Sequence, residues 1–417
     1  MYQLYEVNRF GGVNLIQPPH QIGDEEAQFA TNITYDKYGW VQRRRHTKDV
    51  YGATFSGLHS GYIFHKDGKK YVIACAENNI YVNGELKVEG HSYTRYQFAQ
   101  YGGYLYIING DEGYVFDGTT FSTPFIAIPK AIPGVSAGGA GNPNGNYSWK
   151  YTYYTTHGES LPSPATATVA LSSQQGQIGI NSDGDYVRIV TNDDYGILGI
   201  KFYRTVAGGS SYLYSFSATN ETINDSAGIQ YDNVADGSLG DSIHSFGAPS
   251  KSKYLAAHYD FMFYAGIDGF PNRLYWSNQY FPLKVTSTDY TFCGESGDDI
   301  TGITVFGGTL IVFCKANVFR VTGRGEVYTQ SGVSYRNWVV SRVPSAVGCT
   351  APYSIANAGS RIYYCYRDGV YAFDGVTSIK ISDKVDPIFD DFTGEVADNI
   401  IGKYHDGKYY IIKDIRD

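Results

Sequence analysis

Apolar and polar residues alternate along this chain in short runs broken by tight turns, and one phrase keeps returning. Tyr101-Gly102-Gly103 leads into Tyr104-Leu105-Tyr106-Ile107-Ile108, and Gly307-Gly308 leads into Thr309-Leu310-Ile311-Val312-Phe313. Gly359-Ser360 precedes Arg361-Ile362-Tyr363-Tyr364-Cys365-Tyr366, and Asp406-Gly407 precedes Lys408-Tyr409-Tyr410-Ile411-Ile412. Weaker copies begin at Lys66 and Tyr259. Alternation with period two predicts strands. Its recurrence predicts a β-propeller, since one small sheet cannot bury both faces without neighbours. Two phrases, Gly113 to Gly118 and Gly369 to Gly375, place Asp-Gly after alternating apolar residues at matching points of two blades. Asp-Gly accepts the positive φ of a tight hairpin, so a structural role is expected there.

The pattern divides the chain. Residues 1–30 form an irregular arm with Gly11-Gly12, Pro18-Pro19 and an acidic cluster at Asp24, Glu25 and Glu26. The propeller phrase occupies 31–128, gives way to a different texture over 129–246, and resumes over 247–417. In the interruption, alternation puts Tyr147, Trp149, Tyr151 and Tyr153 on one face of a strand. Strand-like runs at this spacing predict an inserted fibronectin type III-like β-sandwich. Removing the insertion from 417 residues leaves about 300, enough for six or seven blades of ~40–50 residues. The chain ends after the Tyr409 to Lys413 strand, and an early segment, Trp40 to Arg44, is expected to complete that last blade. The expected fold is all-β: a six- or seven-bladed propeller with an inserted sandwich.

Composition agrees with this reading. Tyr numbers 40, Phe 22 and Gly 49, against Met 2, as short strands and tight turns require. No helical stretch exceeds two turns, which excludes the α/β enzyme folds. The formal net charge of -8 makes the surface repel nucleic acid rather than wrap it. No apolar run nears the ~20 residues of a membrane span, and the first residues lack the pattern of a secretory signal. The five cysteines (Cys75, Cys293, Cys314, Cys349, Cys365) form no C-x-x-C pair, which predicts buried free thiols in a reducing compartment.

Candidate chemistry is sparse. Asn181-x-Asp183-x-Asp185 opens like a calcium loop, but Tyr186 replaces the required Gly and Asn192 the bidentate Glu, so a polar hairpin is expected. Ser242 near His244 lacks the nucleophile elbow and reads as a linker. The nine histidines show no metal-binding spacing, and sialidase Asp boxes are absent. Asp298-Asp299 and Asp390-Asp391 read as solvated loop charges. The run Arg43-Arg44-Arg45 follows Trp40-Val41 on an expected strand; an ion-paired or interface role suits it better than phosphate contact. No catalytic residue, cofactor or metal is expected.

The order of several loose motifs carries a resemblance. Arg9-Phe10-Gly11-Gly12-Val13-Asn14 is followed by Pro18-Pro19, Asp24-Glu25-Glu26-Ala27, Asn32-Ile33 and Gly39-Trp40-Val41-Gln42-Arg43. Gly158-Glu159-Ser160 with Pro162 and Pro164 comes next, then Phe202-Tyr203-Arg204-Thr205. Asn272 to Ser277 with Pro282, and Val318 to Gly323, follow in the later part. Across nearly its whole length the chain resembles the tail nozzle, or head-to-tail hub, proteins of short-tailed bacteriophages. The resemblance implies a non-enzymatic structural virion protein: a homohexameric ring below the portal and its adaptor. Such a ring extends the channel, retains packaged double-stranded DNA without sequence-specific binding, and gives tail fibres, spikes or a needle a place to attach. It implies a place in the virion tail, with assembly in the host cytoplasm. Candidate interface residues are Arg9, Phe10, Asn14, Arg43, Arg44 and Arg45. The alternative is a carbohydrate-binding or carbohydrate-cleaving propeller, to which the wealth of Tyr and Trp would offer sugar-stacking surfaces.

Overall fold

A computed structural model describes residues 10–35, 41–43, 55–91, 94–122, 129, 132–155, 158–160, 162–179, 181–182, 185–186, 197–225, 229–243, 246–247, 252–330, 333–389, 397 and 399–413. The chain is all-β and of the propeller class, and its repeating unit is a small antiparallel sheet. It divides into two compact units, Gly57–Thr291 and Met1–Ser56 with Phe292–Asp417.

In the first unit, Leu58–Lys66, Lys69–Ala76, Asn79–Val82 and Glu85–Glu89 form one four-stranded meander. Gln97–Tyr101, Tyr104–Ile108, Gly113–Phe116 and Phe121–Ser122 form the next. A third sheet runs through Ser252–His258, Phe261–Ile267, Arg273–Asn278 and Phe281–Phe292, with Phe246–Gly247 as a fifth strand. The strand Tyr104–Ile108 shows the logic of the blades. Leu105 and Ile107 pack with Phe64, Ile73 and Ile80 of the preceding sheet. Tyr106 and Ile108, pointing the other way, pack with Leu255, Met262, Tyr264 and Leu283 of the following one. Alternation therefore buries both faces of the middle sheet, as it must in a stack of blades.

The second unit repeats the plan. Ile300–Phe306, Thr309–Cys314, Val318–Thr322 and Val339–Arg342 form one sheet, and Ala356–Asn357, Ile362–Tyr366, Gly369–Phe373 and Ser378–Lys380 another. Ile311, Phe313 and Val318 share a core with Ile362, Tyr364 and Phe373. Cys365 and Val370 pack instead with Ile400 of the last hairpin, Ile400–His405 with Lys408–Lys413. Of the segment Trp40 to Arg44 expected to complete that hairpin, Val41–Arg43 pairs instead with Ile33–Tyr35, and Trp40 and Arg44 lie outside the described residues. The local turn wins, and a side-chain bond from Lys408 Nζ to Thr34 Oγ1 at 2.5 Å links the two hairpins.

Turn chemistry fixes the register. Asp67-Gly68, Asn83-Gly84, Gly102-Gly103, Gly307-Gly308 and Asp406-Gly407 all have positive φ at both positions. That is the type I′ loop whose twist suits a two-residue hairpin, and these residue types adopt it at least cost. The two Asp-Gly phrases, Asp117-Gly118 and Asp374-Gly375, share a different turn from the tight hairpin expected: only the glycine has positive φ, and the Asp side chain closes a four-residue loop. Asp117 Oδ1 accepts from the backbone N of Thr119 and Thr120, both at 2.7 Å. Asp374 Oδ1 accepts likewise from Val376 and Thr377 at 2.9 and 2.8 Å.

Between the second and third sheets of the first unit, Gly134–Ala140, Gln174–Gly179 and Ile229–Asp232 form a three-stranded sheet. Gly158–Glu159, Trp149–Thr155, Gly199–Arg204 and Leu213–Thr219 form a four-stranded one. Strands of both feed one core, in which Tyr147, Trp149, Tyr151 and Tyr153 are all buried with Ile178, Ile200 and Phe202. A short α-helix, Asn220–Asp225, follows the last strand of that four-stranded sheet.

Candidate functional site

The arm folds on itself before it meets anything else. Gly12–Val13 pairs in parallel with Glu26–Ala27, and Asn14 N donates to Ala27 O at 2.9 Å. Asn14 is buried and holds the turn from inside. Its Oδ1 accepts from Ile16 N and Gln17 N at 3.1 and 3.2 Å, and its Nδ2 donates to Glu26 Oε2 at 2.8 Å. An Asx turn of this kind explains why Asn stands there, since its side chain imitates a backbone turn. The folded arm attaches within its unit through Leu15 N to Lys384 O at 2.8 Å and a contact of Lys384 Nζ with Glu26. The Lys384 ammonium, helped by the Asn14 amide, holds the Glu26 carboxyl below its ordinary pKa.

Of the candidate interface residues, Phe10 is half-buried in the arm and Asn14 is buried. Arg43 is exposed on the hairpin, opposite Ile33. Arg9, Arg44 and Arg45 lie outside the described residues. The arm also carries two side chains that the motifs did not single out. Phe29 is 78% exposed and Ile16 56% exposed.

A second cluster lies wholly inside the inserted region. Arg204 and Asp232 are fully buried, with Arg204 Nε 3.1 Å from Asp232 Oδ2. Asp232 also accepts from Trp149 Nε1 at 2.8 Å, Ser215 Oγ at 2.7 Å and Val234 N at 3.1 Å. Arg204 Nη1 donates to Asp236 Oδ1 at 2.6 Å and Thr205 O at 2.9 Å, Nη2 donates to Val234 O, and the guanidinium stacks on Tyr147. Burial raises the Asp236 pKa, but hydrogen bonds from Ala207 N and Arg204 outweigh it and hold the carboxyl below the ordinary value. Every charge here is met by the chain itself, so the cluster locks the region rather than offering a ligand site. Nearby, Glu159 of the Gly158-Glu159-Ser160 motif contacts Lys201 and accepts from Tyr203 Oη at 2.8 Å, which assigns that motif a structural duty.

The remaining candidates resolve similarly. Asn181–Ser182 pairs with Asp185–Tyr186 as a hairpin, and Asp183 lies outside the described residues. Among the described residues, no three His, Cys, Asp or Glu side chains gather as a metal site. Ser242 bridges to Leu213 as backbone, with Ile243 N donating to Tyr212 O, so this linker is bound as a strand edge; His244 is outside the described residues. Asp298 accepts from Ala316 N and Asn317 Nδ2, both at 2.7 Å, and is therefore a buried loop fastener rather than a solvated charge. All five cysteines are free and buried. Desolvation pushes the thiols of Cys75, Cys293 and Cys349 up to about 12 and that of Cys365 up to about 11, which keeps them protonated. No helix is long and apolar enough to cross a membrane among the described residues.

No protein-family model matches this chain, and no curated protein matches it. Solved structures share parts of its fold at low similarity. Apo AztD from Citrobacter koseri is 10% identical over 85% of this chain and 80% of its own, with a TM-score of 0.33. BamB from Moraxella catarrhalis is 10% identical over 79% and 72%, with a TM-score of 0.27. Hsv2 from Kluyveromyces lactis is 8% identical over 79% and 75%, with a TM-score of 0.26. Values this low carry nothing about activity or partners.

Proposed function

We propose that this chain is a structural component of a short-tailed phage virion: the tail nozzle, or hub, assembled as a ring of six below the portal and adaptor. The observation that carries this reading is the arm. It is folded by its own hydrogen bonds, yet it leaves Phe29 and Ile16 uncovered in the single chain, as a segment made to be covered by another subunit does. A closed ring needs two different patches per subunit, and the arm and the inserted region, which we take to be fibronectin type III-like, supply them. The net charge of -8 suits a channel through which double-stranded DNA slides without sequence-specific contacts. The ring extends that channel, retains packaged DNA and gives fibres, spikes or a needle a place to attach. It does so without catalysis, in the virion tail, after assembly in the host cytoplasm.

The test is assembly. The purified chain, alone and with adaptor-bearing heads, should give six-fold rings by electron microscopy and analytical ultracentrifugation. Phe29→Ser should keep the subunit fold and lose the ring. A chain that stays monomeric under both conditions, or a ring indifferent to Phe29→Ser, would overturn the reading.

A further inference from the structure

The hairpin of Leu58–Lys66 with Lys69–Ala76 has a second face besides the one that enters the core. Paired residues share a side of a sheet, so Ile63 with Val72 and His65 with Lys70 point away from Phe64 and Ile73, which pack inward. Ile63 is 49% exposed, and His65 and Lys70 are exposed beside it, with Lys69 at the tip. Lys66 is engaged elsewhere, its Nζ donating to Asp117 O at 2.6 Å. Lys69 and Lys70 make no side-chain hydrogen bond or ion pair among the described residues. Asp67, at the turn, is the one acidic residue of the hairpin.

The arm has the opposite character. Residues 10–35 hold Asp24, Glu25 and Glu26 and no Lys or Arg. Lys384 answers Glu26. Glu25 is exposed, and its carboxylate has no partner among the described residues. Ile16 and Phe29 add apolar surface to this acidic segment. One segment is therefore acidic and apolar, and the other basic and apolar.

We propose that the arm of one copy lies against this hairpin face of a second copy. The inference rests on the assembly reading and names what covers the arm. Apolar side chains of the arm meet Ile63 and Val72, and Glu25 meets Lys69 and Lys70, giving an apolar centre with a charged rim. The signs also choose the geometry. Arm against arm would bring carboxylates together and hairpin against hairpin would bring ammonium groups together, so only the head-to-tail contact is complementary. That is the contact from which closed rings are built. The hairpin and the inserted region belong to the same compact unit, so a single neighbour carries both.

The test mixes copies. Wild type, Lys69→Glu/Lys70→Glu and Glu25→Lys are sedimented at low and high salt, with melting temperatures to establish that each is folded. Wild type should form rings, more weakly at high salt. Each variant alone should need about tenfold more protein to assemble, because like charges now face one another. Their equimolar mixture should recover assembly, since each altered patch then meets its complement. Carbodiimide treatment of mixed light and isotopically heavy wild type should join Glu25 to Lys69 or Lys70 between chains. Rings indifferent to both substitutions, folded variants that stay apart when mixed, or a Glu25 cross-link confined to single chains would overturn the inference and leave the assembly reading in place. A wild-type chain that stays monomeric would overturn both.

Discussion

Replacing Arg204 with Met should strip the inserted region of its lock. The side chain is fully buried, and its removal leaves the Asp232 carboxylate equally buried with only Trp149, Ser215 and Val234 N as partners. It also orphans the Val234 carbonyl and takes the cation off the face of Tyr147. Breaking one side of a buried pair costs about 3–5 kcal/mol, because the other charge stays uncompensated. At ~1.4 kcal/mol per tenfold, opening of the strands Gly199–Arg204 and Leu213–Thr219 becomes about two to three and a half orders of magnitude more frequent. Hydrogen exchange by mass spectrometry on peptides from those strands reads this directly. Peptides from Ile362–Tyr366, in the other compact unit, serve as the control. Arg204→Lys should recover part of the protection, keeping the charge without the planar fork. Exchange within about threefold of wild type in Arg204→Met would refute the assignment of Arg204 as the fastening of this region.

Three further outcomes follow from the turns, the thiols and the arm. The Asp117 carboxyl is held below its ordinary value, chiefly by the Thr120 N–H, and Asp374 by the Thr377 N–H. A depressed carboxyl stabilises the fold above the ordinary value near 4, and that contribution is lost as pH falls through the lower native value. The melting temperature should therefore fall less steeply between pH 5 and 2 in Asp117→Ala and Asp374→Ala than in wild type; parallel curves would contradict this. A thiol reagent at pH 8 should find none of the five cysteines in the native chain and all five in guanidinium, and one fast native thiol would be inconsistent with their burial. Lys384→Ala should speed limited proteolysis around residues 15–30, with the difference from wild type shrinking at high salt; equal cleavage rates would mean that Lys384 does not hold the arm.

Much of this was legible in the sequence wherever the physics is local. Alternation placed Tyr147, Trp149, Tyr151 and Tyr153 on one face because strand periodicity needs no distant information, and all four are buried. The Gly-Gly and Asp-Gly dipeptides announced their turns because few residue types tolerate positive φ twice in succession. The fate of Val41–Arg43 was not legible, since a strand's partner depends on competing pairings and the nearest hairpin won. The burial of Asp298 is not legible for a similar reason: a loop carboxylate reads as solvated, and the donors of Ala316 and Asn317 come from another turn. Tyr280 and Tyr259 give no signal, because tyrosine does not announce the left-handed backbone, φ +64° and +50°, that both adopt. Arg204 and Asp232 could be read as charges in strand-like runs, but nothing local says that they meet.

The division of the chain sets an order in time. Gly57–Thr291 is one continuous stretch, so it can fold as the ribosome releases it. The arm cannot finish so early, because the groups it attaches to, Lys384 and Lys408, are made more than 350 residues after it. At ~5–20 residues per second, Leu15 and Thr34 wait roughly twenty seconds to over a minute for their anchors. Through that interval Ile16 and Phe29 travel on a tethered, unanchored segment. A chaperone that captures nascent apolar segments, or a neighbouring chain on the same polysome, meets them before their own unit does.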